Sequence, residues 1–189
     1  MPISAQTIYE QTLVVRSQIG DEAAFRELLT LYSPRLQAFA GKMLTGDVSH
    51  RVEDLLQESW VAIYRSLPSL LDITKFRSWA FRITRDRIFA EFRRRRLTFE
   101  PLSEIDLEQL GIPESDSVGV DRDELQRCLD TLPPDHREVL LLRFFEDMNY
   151  GDIARVTDCS VGTVRSRIHY AKRALRRAVE NTIYEHQSR

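Results

Sequence analysis

The chain has 189 residues, 42% of them hydrophobic and 30% charged, with a formal net charge of −2, which allows one domain or two small ones with a sizeable core. No apolar run approaches the roughly 20 residues that cross a bilayer. Met1 to Arg16 lacks the charged start, apolar centre and small-residue cleavage site of a secretory signal, so a soluble cytoplasmic protein is expected. Cys128 and Cys159 and the scattered His50, His136, His169 and His186 have no metal-ligand spacing. Two reduced thiols, with no metal and no cofactor, are expected.

The small net charge conceals an alternation. From Val61 to Arg96, ten Lys and Arg stand against Asp72, Asp86 and Glu91; from Leu97 to Asp130, ten acids stand against Arg122 and Arg127. From Val164 to Arg189, seven Arg and Lys oppose Glu180 and Glu185. Two basic blocks separated by an acidic connector point to two contacts with a polyanion.

In chain order, Thr7 to Ile19 reads as a first helix stopped at Gly20, with Asp21 as the next N-cap. Phe25, Leu28, Leu29, Tyr32, Leu36, Phe39, Ala40 and Met43 keep helical spacing, with Pro34 inside the run as a kink or a restart. Thr45-Gly46-Asp47 is a break. A third helix from about Ser49 to Ser66 puts Val52, Leu55, Leu56, Ile63 and Tyr64, with Leu67 beyond its end, on an apolar face, and Glu53, Asp54, Gln57 and Glu58 on the other.

Pro68 to Thr74 reads as a loop. A fourth helix from Phe76 to about Arg95 stacks Phe76, Trp79, Ala80, Ile83, Ile88 and Phe92 between Arg77, Arg82, Arg85 and Arg87. Aromatics interleaved with cations suit single-stranded nucleic acid, with bases stacking on rings and Arg meeting phosphate. A core of rings with an Arg run at a helix C-terminus is the plainer reading. Leu97 to Val120, rich in acids, Pro and Gly, reads as a linker, with a helical turn around Ser103 to Leu110. Its charge either keeps it solvated or lies over a basic face when DNA is absent.

Leu125, Cys128, Leu129 and Leu132 form the next helical face, stopped by Pro133-Pro134. Val139, Leu140, Leu141, Leu142 and Phe144 make the centre of a small core. Tyr150 to Arg177 then reads as a short helix, a tight turn and a longer basic helix. Ser160 is placed as N-cap, its hydroxyl accepting the amide near Thr163. Val161, Val164, Ile168, Ala171 and Leu175 fall on a buried face, leaving Thr163, Arg165, Ser166, Arg167, His169 and Tyr170 largely outside it. Hydroxyls and guanidiniums early in a second helix suit a helix-turn-helix in the major groove; a solvated amphipathic helix is the bland alternative. No stretch alternates with period two for long enough to make a sheet. The expected fold is all-α, in two helical units.

These residues carry a resemblance. Leu129 to Leu175, with its LPP…REV segment, Tyr-x-x-Ile-Ala step and Val-Gly-Thr-Val-Arg-Ser-Arg run, resembles domain 4 of extracytoplasmic-function sigma factors. Asp54-Leu55-Leu56-Gln57-Glu58-Ser59-Trp60, then Phe76-Arg77-Ser78-Trp79, Phe92 and Arg93 to Arg96, resemble sigma domain 2. The resemblance implies domain 2 over residues 1–96, an acidic linker over 97–120 and domain 4 over 121–189, in a non-catalytic subunit of RNA polymerase. It implies contacts with the β′ clamp helices, the β flap and promoter DNA, and a possible anti-sigma factor as a further partner.

Carried over residue by residue, the resemblance assigns Asp54, Leu55, Gln57 and Glu58 to core polymerase. Lys75, Arg77, Trp79, Arg82, Arg85, Asp86, Arg93 and Arg94 fall to the −10 element. Ser160, Gly162, Thr163, Arg165, Ser166, Arg167, His169, Tyr170 and Arg173 fall to the −35 element, with Arg167 alternatively turned to polymerase or bracing the fold. Four positions depart from the family pattern: Asp86 for the usual Asn, Ala90 for a frequent acid, Tyr170 for a common Arg, and Asp158 for a frequent Gly. An ionised Asp cannot donate, which puts the −10 base preference in question. No phosphate loop, metal cluster or nucleophile–base pair argues for an enzyme. A helix-turn-helix regulator binding duplex DNA without polymerase is the rival; it leaves the basic aromatic helix and the Asp54–Glu58 cluster unexplained.

Overall fold

The computed structural model describes residues 4–44, 46–96 and 122–187, and every regular element among them is helical. The expected linker and its helical turn at 103–110 lie outside these residues. Eight helices follow in order: α1 Ala5–Gln18, α2 Glu22–Met43, α3 Val52–Ser66, α4 Phe76–Arg96, α5 Arg122–Asp130, α6 Pro134–Leu140, α7 Tyr150–Thr157 and α8 Val161–Gln187. They fall into two compact units, one built on α1 to α4 and one on α5, α6, the first half of α7 and α8.

In the first unit the turn between α1 and α2 forms as its residues require. Gly20 takes φ +91, a conformation costly to any side chain. Asp21 then accepts the amides of Ala23 and Ala24 at 3.0 and 3.1 Å. These amides, that of Ala24 first, with the Arg16 guanidinium at 2.6 Å, hold the Asp21 carboxyl below its ordinary value. Pro34 neither breaks nor restarts α2, which stays one helix of 22 residues. A proline inside a helix costs about 3 kcal/mol. Leu28 and Tyr32 before it and Leu36, Phe39 and Ala40 after it are all fully buried, and each large apolar side chain contributes about 1.5–3 kcal/mol. Burial wins.

The third helix starts later than its sequence suggests, because Gly46–Arg51 winds as a 3-10 segment first. Trp60 joins Leu55 and Ile63 in the core, packing edge-on against Phe25 at 5.9 Å. The expected loop after α3 contains two 3-10 turns, Leu67–Ser69 and Ile73–Lys75. Gln18 donates to the carbonyls of Leu67 and Leu70 and so ties the first of these turns to α1. Tyr32 on α2 meets Phe76 on α4 at 5.1 Å, and Phe39 meets Phe81 at 5.4 Å. Such edge-to-face pairs add about 0.5–1.5 kcal/mol beyond burial.

In the second unit the Pro133-Pro134 step both stops α5 and opens α6. Arg137 reaches back and donates to the carbonyls of Asp130 and Leu132 at 2.8 and 3.3 Å, capping the end of α5. Burial lowers its pKa, and Asp130 opposes that shift. The helix then widens into one π turn, Leu141–Phe145, in which the Glu146 amide bonds to Leu141. This turn corrects the expected core. Leu140, Leu141 and Leu142 are buried, but Phe144 is 58% exposed. In an unbroken α-helix Phe144 would stand over Leu140; the wider π step carries it off that face.

Candidate nucleic-acid and partner interfaces

On α3 the acidic face forms because four-residue steps place Leu55, Ser59 and Ile63 inward and leave Glu53, Asp54, Gln57 and Glu58 outward. Asp54 is paired by Arg51 at 3.0 Å. Leu55, a candidate partner contact, is only 4% exposed: its side chain fills the core and holds the helix. Asp54, Gln57, Glu58 and the half-exposed Val61 line an open groove of about 500 Å³, together with Arg87 of α4. Arg87 was not among the expected contacts; only the packing of α4 beside α3 puts it there.

Along α4, Arg82, Arg85, Asp86, Phe89 and Arg93 recur at three- and four-residue steps on one stripe. The Arg85 guanidinium lies 4.1 Å from the Phe89 ring centre and 3.4 Å from the Asp86 carboxylate. Arg82 and Arg93 are exposed, and Arg94 pairs with Glu91 at 2.8 Å. Trp79 is half-buried against Phe76, at 6.0 Å. Lys75 and Arg77 are half-buried near the helix start. Phe89 is the member that sequence reading missed, although the Arg85–Phe89 spacing of four was its signal.

The helix-turn-helix is built by two caps and a left-handed residue. Asn149 accepts the Asp152 amide at 2.9 Å and starts α7. Asp158 takes φ +54, and the Cys159 amide returns to the Ala154 carbonyl at 3.2 Å, so Asp performs the turn that a Gly would make. Ser160 accepts the Thr163 amide at 3.0 Å and opens α8, as its position predicts. Val164, Ile168 and Ala171 are buried, whereas Val161 is 40% exposed: it sits in the first turn, before the helix meets its neighbours. Leu175 is half-buried.

The outer face of α8 that results contains Gly162, Arg165, Ser166, His169 and Tyr170, all exposed, with Thr163 and Arg173 half-buried at its edge. His169 and Tyr170 rings lie 5.5 Å apart, and the Ser166 hydroxyl donates to the Thr163 carbonyl. Arg167 is different. Its guanidinium lies 3.5 Å from Asp135 and 3.9 Å from the fully buried Glu138, both on α6. These two pairs are the ones a brace would make. Burial, with Arg167 adding to it, keeps the neighbouring His136 less basic than usual, while Asp135 opposes both. An exposed helix start bearing hydroxyls, amides and guanidiniums can bind phosphates and base edges.

Among the described residues no group of His, Cys, Asp and Glu is arranged to hold a metal ion, and no helix is long and apolar enough to cross a membrane. Family models match twice, Sigma-70 region 2 over residues 28–98 and Sigma-70 region 4 over residues 122–175. The chain is 30% identical to the ECF RNA polymerase sigma-E factor of Escherichia coli, over 95% of this chain and 98% of that protein. It is 35% identical to the ECF RNA polymerase sigma-E factor of Haemophilus influenzae, over 95% and 97%. Two solved structures share the fold. CnrH in complex with the cytosolic domain of CnrY has a TM-score of 0.68 at 22% identity, covering 92% of this chain and 98% of that one. The sigma factor RpoE in complex with the anti-sigma factor NepR, from Bartonella quintana, has a TM-score of 0.67 at 24% identity, covering 82% and 96%. With both helical units matched in order and nearly the whole length aligned, the chain belongs to the extracytoplasmic-function family of RNA polymerase sigma factors, non-catalytic subunits that direct the polymerase to promoters.

Proposed function

We propose that the chain docks on core polymerase through the acidic face of α3 and touches promoter DNA at two separate places. Asp54, Gln57 and Glu58 meet a basic helix of the β′ clamp, with Leu55 supporting them from below. Arg82, Arg85, Arg93 and Arg94, with Lys75 and Arg77, follow the strand melted at the −10 element. Trp79 holds α4 in place, and Asp86 faces the captured base. On α8, Ser160, Gly162 and Thr163 position phosphates at the −35 element. Arg165 and Ser166 reach base edges beside His169, Tyr170 and Arg173. The second unit also meets the β flap.

The observation that carries this reading is the sorting of exposed charge: carboxylates on α3, guanidiniums along α4 and at the start of α8. Acid suits a basic protein partner, and the two basic faces suit phosphates. The proposed division is residues 1–96 for −10 and clamp binding, 97–120 as linker and 121–189 for −35 binding, acting in the cytoplasm. Two structurally similar proteins were solved with a second protein, CnrH with CnrY and the sigma factor RpoE with the anti-sigma factor NepR; an anti-sigma partner is proposed here on that basis. Run-off transcription with purified core polymerase tests the whole reading. Start-site-specific transcripts that need the chain support it. Tight operator binding without polymerase, and no effect on initiation, overturns it.

A further inference from the structure

We propose that Tyr150 is a positioning residue that aims Arg165 at its base. Tyr150 is the first residue of α7, fixed by the Asn149 cap. Its half-buried ring has two guanidinium neighbours. Arg143, from the preceding π turn, lies 5.7 Å from the ring centre and is itself tied to the Met148 carbonyl at 3.0 Å and to Asp147 at 3.5 Å. Arg165, from the second turn of α8, lies 6.0 Å from the same centre. Among the described residues no ion pair holds Arg165, so this ring is the contact that orients it.

The physical reason is conformational. An exposed Arg carries about 2 kcal/mol of rotamer entropy, and its planar fork discriminates a base only when it arrives in one orientation. A ring face beside its guanidinium narrows the accessible rotamers and attracts the cation without occupying its five donors. Arg143 locks the ring from the other element, so the shelf stays put while Arg165 engages DNA. This role presupposes that Arg165 reads the −35 element, and the test separates the two.

Promoters recovered by mapping start sites would be made with single-base changes across the −35 element, and run-off transcription measured with holoenzyme carrying the full chain. Arg165→Ala relaxes preference at one base pair. Tyr150→Leu lowers preference at that same base pair about three-fold, Tyr150→Phe retains it, and Tyr150→Leu adds nothing in an Arg165→Ala background. A Tyr150→Leu protein weakened equally on every variant, or one whose effect persists undiminished without Arg165, overturns the positioning role. If Arg165→Ala relaxes nothing, the reading of Arg165 falls and Tyr150's role with it; if Arg165→Ala relaxes preference but Tyr150→Leu does not, Tyr150 alone is removed.

Discussion

Two arginines two positions apart on α8 have opposite attachments. Arg165 is exposed, whereas Arg167 bridges Asp135 and the fully buried Glu138. Removing Arg167 takes one cation away from both Asp135 and the buried Glu138, which costs about 1 kcal/mol. Arg167→Ala should therefore lower the urea midpoint clearly, while Arg165→Ala changes stability by no more than about 0.5 kcal/mol. Equal stability of the two variants would contradict the brace. Sequence spacing alone left Arg167 on the outer surface, because its partners lie on α6, some thirty residues earlier, and only packing reveals them. Asp86 gives a second test. An amide can donate where a carboxylate only accepts, so Asp86→Asn should alter base preference at a single −10 position in run-off assays. A profile identical to the parent would place Asp86 outside the base contact.

Helix positions and faces were legible where spacing governs them, as in α8, whose Ser160 cap and buried Val164, Ile168 and Ala171 follow from pattern alone. Departures arise where geometry shifts away from the regular α step. The π turn at Leu141–Phe145 exposes Phe144, and the 3-10 segment at Gly46–Arg51 delays α3. Neither signals itself in the order of apolar residues. Within α3, the surface available to a partner is narrower than the motif suggests, since Leu55 is turned inward. Gln57→Ala with Glu58→Ala should weaken binding to core polymerase by about ten-fold, from two lost polar contacts near 0.5–1.5 kcal/mol each, with helicity and melting unchanged. Unaltered affinity, measured by competition against labelled parent, removes both side chains from the interface. Leu55→Ala would instead lower stability, by about 2–5 kcal/mol.

For the molecule as a whole, acid acts on the two units over different ranges. His136, on the α6 side of the second unit, has a folded-state pKa below its ordinary 6.5, chiefly through burial. The unfolded chain therefore takes up that proton first, so the second unit loses stability as pH falls below about 6.5. Asp21 and Asp72 of the first unit have pKa values held below 3.8, the former chiefly by the Ala24 amide and the latter by the Thr74 hydroxyl. Their contribution is present above about 3.8 and disappears only in stronger acid. Amide exchange between pH 7.5 and 5.5, corrected for intrinsic rates, should show α6 losing protection while α1 and α2 hold theirs. His136→Asn should flatten that difference; an unchanged difference would exclude His136 as its source.

The first three turns of α8 divide their labour cleanly: Val164, Ile168 and Ala171 face inward, and Arg165, Ser166, His169 and Tyr170 face out. On the proposed reading, folding and promoter choice are thus written in separate alphabets along one strip of chain. A library randomised at the four outward positions, with Arg167 and the three apolar residues held fixed, should yield mostly well-folded proteins. If those positions read the −35 element as proposed, start-site mapping across the library should return members with altered −35 preference; a uniform preference would remove the four from base reading.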